Sequence, residues 1–223
     1  MAEPLQGMNP AGEEPLSAEA ADQRTSPRFT LLIRTAKLIN SRGEFLCILR
    51  DASSTGVSVR TFHKLAPERR MLLEMPNGDR HEIETVWERD GAAGFRFTQP
   101  IDTQRIIEGR SRFSRRPVRL RLQVPAVLTS NGRSFAAVVR NISQQGARIE
   151  CRELLALEQK LRLDADGLPS IQAKVRWRRG EEYGLVFEDT FQFAELAQLA
   201  NELQARGGAD PLVPPEETAK TCV

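Results

Sequence analysis

Asn141-Ile142-Ser143-Gln144-Gln145-Gly146 has a counterpart ninety residues earlier, Asp51-Ala52-Ser53-Ser54-Thr55-Gly56. Both stretches set an amide or carboxylate, then Ser, then Gly at one fixed spacing. Outward from this pair the match continues without a gap. Arg50 falls on Arg140, Leu65 on Leu155, Ala66 on Ala156 and Glu68 on Glu158. Further on, Trp87 falls on Trp177, Arg89 on Arg179, Gly94 on Gly184 and Phe97 on Phe187. A period this long is a duplicated domain, since solenoid repeats run at roughly 20–50 residues.

Within each copy the apolar residues alternate with period two, as strands half-buried on one face require. In the second copy these are Leu120, Leu122, Val124, Ala126 and Leu128; Ala147, Ile149 and Cys151; Ile171, Ala173, Val175 and Trp177; and Tyr183, Leu185 and Phe187. The first copy repeats the pattern at Val57 and Val59, at Met71, Leu73 and Met75, at Ile83, Thr85 and Trp87, and at Phe95 and Phe97. Asn77-Gly78 and Asn131-Gly132 are hairpin-turn dipeptides between such runs. Phe193, Leu196, Ala197, Ala200 and Leu203 switch to a 3.6 period, which predicts a helix over about 190–205, stopped by Gly207-Gly208. Residues 102–109 are its expected shorter counterpart. The predicted fold is mainly β: two tandem small antiparallel β-barrels, each followed by a helix. The expected boundaries are a disordered tail over 1–22, a first domain over 23–104, a second over 105–206, and a disordered tail over 207–223. Neither tail carries enough apolar residues to offset its ordering entropy.

The chain has 223 residues, 40% hydrophobic and 28% charged, with a net charge of +2. No run approaches the roughly 18–20 apolar residues of a membrane-spanning helix. Residues 1–21 lack a basic region followed by an apolar core, so no secretory leader is expected and the cytoplasm is the expected compartment. Cys47, Cys151 and Cys222 form no close pair, which argues against a disulfide framework or a metal site; Cys47 reads as a core residue. Five of the 32 basic residues are Lys and 27 are Arg. Residues 105–121 alone hold seven Arg against one Glu. Such a stripe could contact nucleic-acid phosphates, but Phe113 is its lone aromatic and the near-balanced charge of the whole chain argues against that partner. No catalytic residues are expected: the carboxylates form no spaced pair, and Ser53 and Ser143 lack a His at matching positions.

Two arginines four apart precede each copy, Arg24 and Arg28, then Arg115 and Arg119. An RxxxR pair alone is uninformative in so Arg-rich a chain, as Arg112/Arg116 and Arg148/Arg152 illustrate. RxxxR followed at matching distance by (D/N)xSxxG, twice, resembles the PilZ domain, the bacterial receptor module for cyclic di-GMP. The spacing from Arg119 to Asn141 is 22 and from Arg28 to Asp51 is 23, a difference of one residue. Arg115-Arg116-Pro117-Val118-Arg119 leading into Val124-Pro125-Ala126-Val127 is similar to the first strand of the family, whereas the first copy has Arg34 in that region. The resemblance implies a non-enzymatic signalling effector that binds cyclic di-GMP and changes its domain arrangement, with a protein target and no cofactor besides that ligand. It implies ligand-binding roles for Arg115, Arg116, Arg119, Asn141, Ser143 and Gly146, and for Arg24, Arg28, Asp51, Ser53 and Gly56. The alternative is a PilZ-fold interaction module that no longer binds nucleotide.

The chemistry suits these residue types. An Arg fork can donate to guanine O6 and N7, pair with phosphate, or stack on a purine. Asp or Asn can accept from guanine N–H groups, Ser can bond its own backbone or the ligand, and Gly permits close backbone approach. The same (D/N)xSxxG stretch also reads as a simple turn between strands. Trp87 and Trp177 are expected to fill the barrel cores, and Arg89 and Arg179 to be solvated strand ends.

Overall fold

The structure, a computed structural model, describes residues 29–65, 67–104 and 117–207. Twelve strands form two closed six-stranded antiparallel barrels. The first contains β1 (Phe29–Asn40), β2 (Gly43–Ala52), β3 (Gly56–Arg60), β4 (Arg70–Glu74), β5 (Arg80–Arg89) and β6 (Ala92–Phe97), in the order β1-β2-β3-β6-β5-β4. The second repeats that order with β7 (Leu120–Ser130), β8 (Arg133–Ser143), β9 (Gly146–Glu150), β10 (Lys160–Ala165), β11 (Ile171–Arg179) and β12 (Glu182–Phe187). Closure leaves neither barrel with an open sheet edge. The tandem-barrel prediction therefore holds. One helix, α1 (Phe193–Gly207), follows the second barrel. Of its expected counterpart over 102–109, Thr103 and Gln104 are helical and residues 105–109 lie outside the described residues.

The alternating residues explain the strands. In β7, Leu120, Leu122, Ala126 and Leu128 point inward, while Arg121 and Val127 face out. Asn131-Gly132 turns β7 into β8 with both residues at positive φ, 51° and 74°, the conformation such a two-residue hairpin needs. The Asn77-Gly78 turn joins β4 to β5 with only Gly78 at positive φ.

The apolar run Phe45–Leu49 on β2 is continuous because both faces of that strand are covered. Phe45, Cys47 and Leu49 belong to the first barrel's core, whereas Leu46 belongs to the core of the second. Helix α1 caps the second barrel with Leu196, Ala197, Ala200 and Leu203 and also meets β2. There Gln204 accepts the backbone N–H of Glu44 at 2.7 Å through Oε1 and donates to the Glu44 carbonyl through Nε2. Phe62 and Phe193 meet edge to face, 5.6 Å between ring centres. The Glu44 carboxylate reaches across to the second barrel, accepting the Arg121 backbone N–H at 2.9 Å, with Arg121 Nε 3.3 Å away. It simultaneously holds Lys37 of its own barrel at 3.0 Å.

Candidate functional site

The (D/N)xSxxG stretch is the hairpin linking the second and third strands of each barrel. Ser143 ends β8 and Gly146 opens β9. Its Ser and Gly have structural tasks. The Ser143 hydroxyl, fully buried, donates to the Gly146 carbonyl at 3.0 Å. In the first barrel the Ser53 hydroxyl accepts the Gly56 N–H at 3.1 Å. A Cβ at Gly146 would collide with the Leu185 carbonyl oxygen of β12, and one at Gly56 would sit 2.8 Å from the Phe95 carbonyl oxygen. The close approach that demands glycine is thus the neighbouring strand's. Ser53, Ser143, Gly56 and Gly146 therefore shape the hairpin.

Asp51 and Asn141 differ, because they face outward. Asn141 Oδ1 accepts a hydrogen bond from Arg119 Nη1 at 3.0 Å, which joins the two halves of the motif. Asp51 Oδ2 accepts from the Ser58 hydroxyl at 2.9 Å. Arg24, Arg28, Arg115 and Arg116 lie outside the described residues.

Strand register explains the one-residue difference in spacing. In β1, Thr30 pairs with Asp51 and Arg34 with Leu49; in β7, Arg121 pairs with Asn141 and Val124 with Val139. The bulge in β1 is therefore one residue longer than that in β7. Before the bulge the two copies align at a shift of 91, which puts Arg28 on Arg119 and Arg24 on Arg115. After it they align at 90, with Arg34 on Val124.

The register also brings together residues far apart in sequence. Across the second barrel, Arg121 pairs with Asn141, Asn141 with Arg148, Arg148 with Gly184, and Gly184 with Trp177. The same row in the first barrel reads Thr30, Asp51, Ser58, Gly94 and Trp87. Each indole lies over its glycine, where a Cβ would strike the ring nitrogen. Trp87 and Trp177 are 40% and 41% exposed, so the expectation that they fill the cores is corrected. The cause is a register shift after Thr85 and after Val175, which turns the next alternating residue outward. Arg89 is exposed, as a strand end should be, and its guanidinium carbon sits 5.6 Å from the Trp87 ring centre. In the first barrel Asp51, Ser58, Trp87 and Gly94 border a concavity of about 80 Å³.

Sequence reasoning missed Arg148, setting Arg148/Arg152 aside as a chance pair. The available signal was its place two residues after Gly146, on the outward face of β9. Its Nη1 lies 3.3 Å from Glu182. Cys47 and Cys151 are buried free thiols, and burial pushes both above the usual thiol range, which suits packing and not chemistry.

The PilZ domain model matches residues 22–109 and again residues 110–204. The chain belongs to the PilZ family. No curated protein matches it significantly in sequence. Solved structures similar to it include Borreliella burgdorferi PlzA in complex with c-di-GMP, at 10% identity over 75% of this chain and 87% of that one, TM-score 0.32. Bacillus subtilis MotI/DgrA, an inhibitor of motility, is similar at 13% identity over 80% and 98%, TM-score 0.34. Escherichia coli YcgR in complex with c-di-GMP is similar at 11% identity over 77% and 81%, TM-score 0.28. At such scores these likenesses add nothing to the family assignment. Among the described residues no helix is long and apolar enough to cross a membrane.

Proposed function

We propose that this PilZ protein is a non-enzymatic cytoplasmic effector that binds cyclic di-GMP at its second barrel and relays occupancy as a change in barrel arrangement. One observation carries the reading: the Arg119 guanidinium bonds Asn141 on the barrel surface, at one end of a row that finishes at the exposed indole of Trp177. That row offers what a cyclic dinucleotide needs, namely guanidinium donors, an amide for base edges and an aromatic face for stacking. Arg115, Arg116 and Arg119 are assigned the ligand's phosphates and guanines, Asn141 a guanine edge, and Ser143 and Gly146 the shape of the loop. Arg24, Arg28, Asp51, Ser53 and Gly56 take the corresponding roles in a less complete first site. Its Asp51 is already engaged by Ser58, and an anionic carboxylate stands where the second site has a neutral amide.

The relay has a physical route. Arg121 is two residues from Arg119, pairs with Asn141, and is bound through its backbone N–H by Glu44 of the other barrel. Calorimetric titration with cyclic di-GMP tests the reading. Saturable binding is expected, weakened about tenfold to a hundredfold by Arg119→Ala through loss of a charge-assisted bond. An absence of heat at any concentration, or an affinity that Arg119→Ala leaves alone, overturns it.

One observation favours a second reading, a protein-interaction module. Leu154 and Leu157 are 71% and 63% exposed, and with Trp177 they border a concavity of about 640 Å³. Such apolar exposure is a mark of protein contact. A chain silent toward cyclic di-GMP that nonetheless binds a partner through these leucines would support it.

A further inference from the structure

We propose that Arg148 is a phosphate-binding residue of the second site, a guanidinium that Glu182 holds until the ligand's phosphate replaces the carboxylate. This rests on the cyclic di-GMP reading above and adds to it a residue outside RxxxR and (D/N)xSxxG.

Three observations carry the assignment. First, strand register sets Arg148 in the middle of the row, between Asn141 and Gly184. Neighbouring strands lie about 4.8 Å apart, so Asn141 and Trp177, three strands on, are separated by about 14 Å along the surface. Arg148 stands between the amide and the indole, where a ligand touching both must pass over it. Beyond it the Trp177 indole lies over Gly184, which brings the aromatic ring back along the row to the side of Arg148.

Second, Arg148 is incompletely satisfied. Its Nη1 meets Glu182 at 3.3 Å with both side chains partly exposed, 41% and 34%. Its Nε is shielded from solvent and has no hydrogen-bond partner among the described residues. A half-exposed ion pair of this kind contributes little, so exchanging the carboxylate for a phosphate oxygen costs little. Glu150, two residues on along β9, also acts on Arg148 through charge but is itself bonded by Arg140 at 2.6 Å, so Glu182 is the carboxylate in direct contact that a doubly charged ligand bound by several donors would replace.

Third, the duplication supplies an internal contrast. With the ninety-residue shift Arg148 corresponds to Ser58 and Glu182 to Ala92. The first barrel lacks the cation and the anion together, as is expected of two residues that serve one another. It keeps the Trp and Gly of the row, so the fold does not require the pair. The guanidinium is accordingly a feature of the second site and not of the barrel.

The test is calorimetric titration of the full chain with cyclic di-GMP, comparing wild type with Arg148→Ser, Arg148→Lys and Glu182→Gln. Ser is the first barrel's own residue at this position, so the substitution suits the strand; unchanged melting temperatures establish folding. Arg148→Ser is expected to weaken binding about tenfold to a hundredfold, with Arg148→Lys retaining part of the affinity because it keeps the charge without the fork. Glu182→Gln is expected to tighten binding, since it removes the competing anion. This opposite response separates a ligand contact from a structural role, which would weaken both variants. Should Arg148→Ser fail to fold, Glu182→Gln decides: tighter binding supports the assignment, and unchanged or weaker binding overturns it. Wild-type binding that Arg148→Ser leaves unchanged overturns the Arg148 assignment alone. Silence of wild type and variants alike overturns the cyclic di-GMP reading and this one with it.

Discussion

At the scale of single residues, the motif divides its labour between fold and site. Ser143 and Gly146 point into the barrel wall, Asn141 and Arg119 point out of it. Substituting the first two should therefore act on stability. Gly146→Ala forces a Cβ into the Leu185 carbonyl oxygen, and backbone cannot swing aside as a side chain could. A loss of about 1–3 kcal/mol is expected in urea unfolding. Gly56→Ala should cost less, because its Cβ would stop 2.8 Å from the Phe95 carbonyl oxygen. Ser143→Ala removes one buried hydroxyl bond, worth about 0.5–1.5 kcal/mol. Equal stabilities for Gly146→Ala and wild type would show that β9 and β12 can move apart, and the assigned reason for the glycine would fail.

At the scale of elements, local sequence rules succeed until a bulge intervenes. Alternation in Leu120–Leu128, Ile171–Val175 and Tyr183–Phe187 places these residues in the core, and all but Val124 are buried there. The same count continued to Trp177 fails, because alternation carries a strand's facing forward only while register is kept. Nothing in Val175-Arg176-Trp177 announces the shift. β2 was hard to read for another reason: a strand covered on both faces shows a continuous apolar run without alternation, and what covers the second face is the other barrel. The Arg119–Asn141 contact was legible as a spacing; the row from Asn141 to Trp177 was not, since it exists only after four strands pair. The duplication offers a test of the row. Gly184→Ala should lift the Trp177 indole from its seat, changing its fluorescence and accessibility to quencher. In a Trp87→Phe background Trp177 is the sole indole. An unaltered emission spectrum would mean that the indole does not depend on Gly184.

The seam that closes the first barrel sets a pH dependence. Lys37 on β1 is buried and pairs across the closure with Glu74 on β4 at 2.7 Å, while Arg80 Nε holds the same carboxylate at 2.7 Å. Burial pushes the Glu74 carboxyl up, but bonds and charges from Lys37 and Arg80 outweigh it and hold the group below its ordinary 4.5. A carboxyl depressed in the folded state contributes stability that is present above the unfolded value and is lost as pH falls through the folded one. At the matching seam of the second barrel Lys37 is replaced by Val127 and Glu74 by Asp164, whose carboxyl the Ser170 hydroxyl and Arg162 also hold below its ordinary value, but at an exposed site where such bonds contribute little. Acid below about 4.5 should therefore release the first barrel before the second. Trp87 and Trp177, each alone in a single-Trp variant, report the two barrels separately. A second barrel that melts first on acidification would contradict this order.

At the scale of the whole molecule, Glu44 is the residue on which two barrels, one helix and the candidate site converge. Its carboxylate is buried between Lys37 of its own barrel and Arg121 of the other, and its backbone is bonded on both sides by Gln204 of α1. Gly43 beside it has φ +131°, and any side chain there would strike Gln204. Leu46, two residues on, inserts into the second barrel's core. The apolar contact provides adhesion and the polar contacts fix the angle, because hydrogen bonds are directional and burial is not. A ligand that draws Arg119 and Asn141 to itself acts on the strand pair that also positions Arg121, and so on the contact that fixes this angle. Such coupling is bounded by the ligand's differential affinity for the two arrangements, about 1–3 kcal/mol in typical cases. Glu44→Gln keeps the size of the side chain but removes the charge that holds Arg121 Nε and Lys37. It should broaden the distribution of distances between spin labels on the two barrels while leaving each barrel folded. Cyclic di-GMP should then shift the wild-type distribution more than that of the variant. If Glu44→Gln leaves the wild-type distances and their response to ligand intact, the angle is set by Leu46, the Phe62–Phe193 contact and the Gln204 bonds to the backbone of residue 44. The path from site to domain arrangement would then not run through Arg121.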